Sequence, residues 1–127
     1  MAAPQRLNYF CCQLAVPNGH AAASSLWTLI QSYFTTNRPL DLPNIFPSAK
    51  SYDLQAASTS SQNVIVSDYA ASSTAPGLNL ATAIGVELVP TGNIYQPPAS
   101  DTLSHDLQAV WLYSNGSGGL VNVQVRC

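Results

Sequence analysis

Charge is what this sequence has least of. Of 127 residues, four are Lys or Arg and six are Asp or Glu, 8% in all, against about 25% in a typical soluble domain. The cations Arg6, Arg38, Lys50 and Arg126 are scattered. Phosphate binding draws on clustered Lys and Arg, so no nucleic-acid partner is expected. The acids Asp41, Asp53, Asp68, Glu87, Asp101 and Asp106 are dispersed too. No pair suits acid–base work and no spacing matches a calcium loop.

Long apolar runs are also missing. None approaches the roughly 18 residues that span a bilayer, so no membrane partner is expected. The opening Met-Ala-Ala-Pro-Gln-Arg is not followed by an apolar signal core and a small-residue cleavage site, which predicts a soluble product made in a cytoplasm. Cysteine is sparse and odd in number: Cys11, Cys12 and Cys127. That count argues against a closed disulfide framework. A Cys–Cys pair with the single distant His20 has no usual zinc spacing. Adjacent residues of a strand face opposite sides, so one of Cys11 and Cys12 is expected in the core and the other outside. The Gly116 run does not link a strand to a helix and lacks a basic residue, so it is no phosphate loop. No metal, nucleotide or other cofactor is expected.

What is present points to a folded domain. The hydrophobic fraction is 46% and the net charge only -2, unlike a disordered chain. The length suits a single domain over residues 1–127. Its polar surface must be built from Ser, Thr, Asn and Gln. Such a surface is cheaper to desolvate than a charged one, and interface cores are depleted in charge. Low charge therefore favours burial in an assembly over an isolated polar monomer.

Along the chain, Leu7–Leu14 reads as a first strand, with Tyr9 and Phe10, and Pro17-Asn18-Gly19 breaks it. Ala21–Phe34 is the one helix candidate. Leu26, Ile30, Tyr33 and Phe34 fall at helical spacing, and Asn37 and Pro39 supply stop signals. Residues 38–47 hold Pro39, Pro43 and Pro47 among Leu40, Leu42, Ile45 and Phe46. Proline removes ladder donors, so this is expected to be an extended strap laid over the body or a neighbour.

From Tyr52 onward, short apolar runs alternate with turn-rich spacers. Tyr52–Ala56, Gln62–Ser67 and Ile84–Leu88 read as strands, with Val64 and Val66 on one face, and Ile84, Val86 and Leu88 on another. Leu107, Ala109, Trp111 and Tyr113 are expected to share a face. The turn Ser114–Gly119 and the alternating Val121, Val123 and Val125 then complete a closing hairpin. The predicted fold is mainly β, a β-sandwich of jelly-roll-like or immunoglobulin-like type with one short N-terminal helix.

Ser104-His105-Asp106 contains the residue types of a hydrolase triad, but neighbours in an extended chain point apart. Asp106 is better read as a residue bonding nearby backbone amides. Asn115-Gly116-Ser117 matches a glycosylation acceptor, with no sign of secretion beside it. Trp111, Tyr113, Tyr95 and Tyr69 suit either a carbohydrate platform or the more common core and interface roles.

Three stretches carry a resemblance: Val64-Ile65-Val66-Ser67-Asp68, Val86-Glu87-Leu88-Val89-Pro90, and Asp106 through Val125. Over residues 52–127 the chain resembles small virion proteins of tailed bacteriophages, of the head-decoration or cement type. It departs from them in having Ser67 where they usually have Gly, and a long loop from Tyr95 to Ser104. The resemblance implies a homo-oligomer, expected as a trimer, on the outer face of a phage head, with the major capsid protein as partner and the virion as location. No enzymatic activity is expected. Tyr9, Phe10, Leu40, Leu42, Ile45, Phe46 and Tyr95 are the interface candidates. The second reading is a fibre, spike or carbohydrate-binding module, and the third a hydrolase built on His105.

Overall fold

A computed structural model of the chain describes residues 7–19, 22–67, 86–97 and 104–127. His20, Tyr69, Ile84, the Ser- and Ala-rich loop of 68–77 and most of the loop after Pro97 lie outside the described residues. The fold is mainly β, with three antiparallel sheets and one helix among the described residues.

Strand β1 (Tyr9–Ala15) shows the expected alternation: Phe10, Cys12 and Leu14 are buried, while Tyr9, Cys11, Gln13 and Ala15 are exposed. Cys12 is thus the core thiol and Cys11 the outer one. After β2 (Ser24–Ser25) comes helix α1 (Leu26–Asn37). It begins at Leu26 rather than Ala21. Ser24 and Ser25 pair with Leu112 and Trp111, and the Ser25 hydroxyl accepts from Thr28 N–H at 3.1 Å as an N-cap. The stop falls where Asn37 and Pro39 place it. Arg38 N–H donates to the Phe34 carbonyl, 2.8 Å, and the proline cannot continue the helix.

The proline-rich segment is not simply extended. Arg38 and Asp41 close a turn with a 2.9 Å ion pair, and Leu42–Asn44 form a 3-10 turn with Pro43 near its start. The fixed φ of proline suits such a turn and its lost N–H costs nothing there.

The remaining strands are β3 (Ser48–Ala49), β4 (Ser51–Ala56), β5 (Val64–Ser67), β6 (Val86–Leu88), β7 (His105–Asp106), β8 (Trp111–Ser114) and β9 (Leu120–Arg126). The first sheet has the order β1-β9-β4, the second β2-β8-β5-β6, and β3 pairs with β7. Phe10, Leu14, Leu54, Val121, Val123 and Val125 of the first sheet pack with Val64, Val66, Leu88 and Leu112 of the second and with Leu26, Ile30 and Phe34 of α1 in one core.

The closing hairpin is not formed. β8 and β9 are consecutive but lie in different sheets: β9 is flanked by β1 and β4, β8 by β2 and β5. The Gly-rich residues 115–119 make an arch between sheets. The chain from β4 to β5 makes a second arch beside it, with Ala57 N–H on the Leu120 carbonyl (2.9 Å), Ser61 N–H on the Gly118 carbonyl (3.1 Å) and Leu120 N–H on the Ser60 hydroxyl (3.0 Å). The expected common face of Leu107, Ala109, Trp111 and Tyr113 is broken as well. Leu107–Ala109 is a 3-10 turn, Leu107 and Leu112 enter the main core, and Tyr113 is buried with Ala23 and Ile65 in a separate cluster.

The arches meet most closely at Gly118. Its φ is +91°, and a Cβ there would overlap the Ser61 hydroxyl, which itself donates to the Ser117 carbonyl at 2.8 Å. Gly118→Val is expected to cost about 2–3 kcal/mol, from left-handed strain and steric overlap together. Urea denaturation measures it. Adding Ser61→Ala should recover only the overlap part, whereas full recovery would show that backbone conformation contributes nothing.

Candidate assembly surface

The outer face of the first sheet is a grid set by strand register. Tyr9, Arg126 and Ser51 form one row, Cys11, Gln124 and Asp53 the next, and Gln13, Asn122 and Gln55 the third. Side-chain bonds brace the grid. Gln13 Nε2 donates to Asn122 Oδ1 at 3.0 Å, Gln55 Nε2 to the Gly92 carbonyl at 3.0 Å, and Arg126 to Asp53 at 2.9 Å. Arg126 and Asp53 are 45% and 15% exposed, and a pair of this kind contributes about 0–1 kcal/mol. Its larger effect is to leave the face nearly neutral. A shallow cavity of about 80 Å³ opens between Asp53, Gln55, Ile94, Asn122 and Gln124.

The interface candidates divide by burial. Tyr9 stands exposed in the first row, Leu40 projects at the turn tip with 90% of its surface open, and Phe46 is 42% exposed. Leu42 and Tyr95 are half-buried against the core. Phe10 and Ile45 are corrections. Both are buried, Phe10 by the β1 alternation and Ile45 because the 3-10 turn tucks it inward, so neither side chain is offered to a partner in this fold. Ile94 and Val89 are exposed apolar residues that periodicity did not single out, and Val86, expected on one face with Leu88, is exposed as well. Val86 is the first residue of β6, opposite Val66, whereas Leu88 enters the core. Ile94 follows a turn, where no strand or helix period marks it.

Tyr95 bridges the β4 edge, exchanging backbone bonds with Leu54 at 2.9 and 2.7 Å. Its ring lies 6.2 Å from that of buried Tyr52, which also meets His105 edge-on at 5.6 Å. Burial, reinforced by Tyr95, pushes the Tyr52 hydroxyl above its ordinary range. His105 thus lies in an aromatic contact and pairs across β3 with Ala49. Asp106 Oδ1 accepts from Gln108 N–H at 2.9 Å, the backbone role expected of it. Tyr113 is fully buried, and Trp111 and Tyr95 belong to different sheets, so these three do not form one platform.

Scans against family models, curated proteins and solved structures return no match for this chain.

Proposed function

We propose that this chain is a virion structural protein that acts by assembly, as a decoration protein on the outer face of a phage head in contact with the major capsid protein. The observation that carries the reading is the outer face of the first sheet, an amide- and hydroxyl-rich grid whose only charges, Arg126 and Asp53, neutralise each other. Such a face hydrogen-bonds to another protein with little desolvation cost. Exposed Tyr9, Leu40, Phe46 and Ile94 add apolar contact points around the body.

In this reading the two larger sheets are the halves of a β-sandwich, a rigid block that carries these contacts. A specific contact buries roughly 1,600 Å², and repetition over a shell multiplies weak contacts by avidity. The test is co-sedimentation with capsids lacking this protein, followed by heat or osmotic challenge. Binding with improved survival is expected. Failure to bind, or binding without protection, rejects the decoration role. The carbohydrate reading draws no support from Trp111, Tyr113 and Tyr95, which are not gathered on one surface.

A further inference from the structure

The two edges of the first sheet are finished differently. On β4 the outward edge is partly covered: Leu54 exchanges both bonds with Tyr95, and the Ala56 carbonyl accepts from Thr91 N–H at 3.2 Å. On β1, Val16 N–H donates to the Gly119 carbonyl (2.9 Å) and Cys127 N–H to the Asn8 carbonyl (2.8 Å). With the β1–β9 register, those two bonds place the even-numbered positions of β1 in the ladder to β9. Tyr9, Cys11, Gln13 and Ala15 therefore direct their N–H and C=O groups outward. Leu7 N–H is taken by the Asn44 carbonyl at 2.9 Å, and among the described residues no other backbone bond reaches this edge.

Among the described residues, an edge roughly 20 Å long, at about 3.3 Å per residue, is left open. Proteins usually blunt such edges with a charge, a proline, a bulge or a covering segment. Tyr9–Ala15 contains neither charge nor proline and pairs with β9 without a bulge. Helix α1 flanks the edge without closing it. A groove of about 290 Å³ runs between Gln13, Leu14 and Ala15 on one side and Leu29, Tyr33 and Thr36 on the other.

We infer that this edge pairs with the same edge of a second copy, antiparallel about a two-fold axis near Cys12, joining two three-stranded sheets into one of six strands. The inference deepens the assembly reading and rests on it for its purpose. Charge selects the occupant. A two-fold contact sets a surface against itself, so any charge near the axis would face its own kind. From Leu7 to Asn37, the stretch holding β1 and α1, the sequence has no Asp, Glu, Lys or Arg. The first charged residue beyond it, Arg38, is tied to Asp41. With the axis at Cys12, Tyr9 lies opposite Ala15 of the second copy and Cys11 opposite Gln13, all hydrogen-bonding positions. The Tyr33 ring beside the groove is the side chain that the added strand would meet.

The experiment is light scattering after size exclusion, in reductant and over a range of concentrations. Twice the 13.4 kDa chain mass is expected. Cys11→Pro removes only an outward donor, which an edge strand tolerates, and should give the single-chain mass with its circular dichroism retained. Cys11→Ser keeps the donor and should remain paired. Gln13→Lys, at an exposed position, sets two ammonium groups diagonally across the axis and should also separate the pair, which decides the matter if the proline variant does not fold. A wild type of single mass throughout, a folded Cys11→Pro and Gln13→Lys that both stay paired, or a triple mass, as the trimer expectation requires, would overturn the inference. Capsid binding by a single-mass variant would uphold the decoration role apart from this edge. A paired protein that ignores capsids would do the reverse.

Discussion

Replacing Phe34 with alanine is expected to destabilise the fold by about 3–5 kcal/mol, the usual cost of emptying a buried phenylalanine site. Phe34 is fully buried at the last turn of α1, and its ring meets Phe10 of β1 edge-on at 5.1 Å. The Arg38 guanidinium covers the ring at 4.9 Å, and the Phe34 backbone carbonyl accepts the bond that ends the helix. One side chain thus joins the helix to the first sheet and supports the turn that follows. Truncation removes apolar area and leaves a cavity that the flanking sheet cannot collapse into, because neighbouring Leu14, Val123 and Val125 are held by ladder bonds.

Against a total of about 5–15 kcal/mol for a domain, that loss is large. The urea midpoint should fall with its slope unchanged, and the melting temperature should drop by roughly 10–20 °C. Leu40→Ala, at an open turn tip, is the contrast and should stay within about 0.5 kcal/mol of wild type. A Phe34→Ala loss below about 1 kcal/mol would mean that the end of α1 is not docked on β1.

The parts of the fold legible in the sequence are those with one wet face. β1, β4 and β9 alternate because their outer side chains meet water and their inner ones meet the core, so Phe10, Cys12, Leu14 and Val121, Val123, Val125 mark a period of two. The second sheet is different. Val64, Ile65, Val66 and Ser67 are all buried, as are Leu112, Tyr113 and Ser114, and burial on both sides erases the alternation. The hairpin expected between β8 and β9 failed for a related reason. Ser, Asn and Gly are needed wherever a chain reverses, whether it returns to the same sheet or crosses to another.

The helix start was misplaced because Ala21–Ala23 continue the helical composition, while the short pairing of Ser24 and Ser25 with β8 is a tertiary event. Among the assembly candidates, apolar character alone did not separate buried Phe10 and Ile45 from exposed Tyr9 and Phe46. Strand periodicity does not say which strand is an edge. The charge-free stretch from Leu7 to Asn37 is present in the sequence, but its meaning depends on β1 having one ladder and not two.

Raising the pH should destabilise this protein in two stages that follow its buried acids. The Cys12 thiol is pushed from its ordinary 9.0 to about 12, first by burial and then by neighbouring Cys11, against a small opposing effect of Arg38. Below pH 9 both folded and unfolded chains carry the proton, and its contribution to stability is complete. Between 9 and 12 the unfolded chain gives up that proton while the folded chain keeps it, so stability falls as pH rises, by about 1.4 kcal/mol per pH unit. By pH 11 the loss from this thiol amounts to about 2–3 kcal/mol. Above pH 10 buried Tyr52 and Tyr113 add losses of the same sign. Burial raises both hydroxyls, Tyr95 reinforces the first, and the Glu87 carboxylate reinforces the second. Urea midpoints measured in reductant from pH 7 to 11 should therefore hold level, bend down from pH 9 and steepen beyond 10. Cys12→Ala should start lower, through lost packing, but stay level to pH 10. A wild-type midpoint that is flat to pH 10.5 would show that the folded chain does not hold the Cys12 proton above the ordinary thiol range.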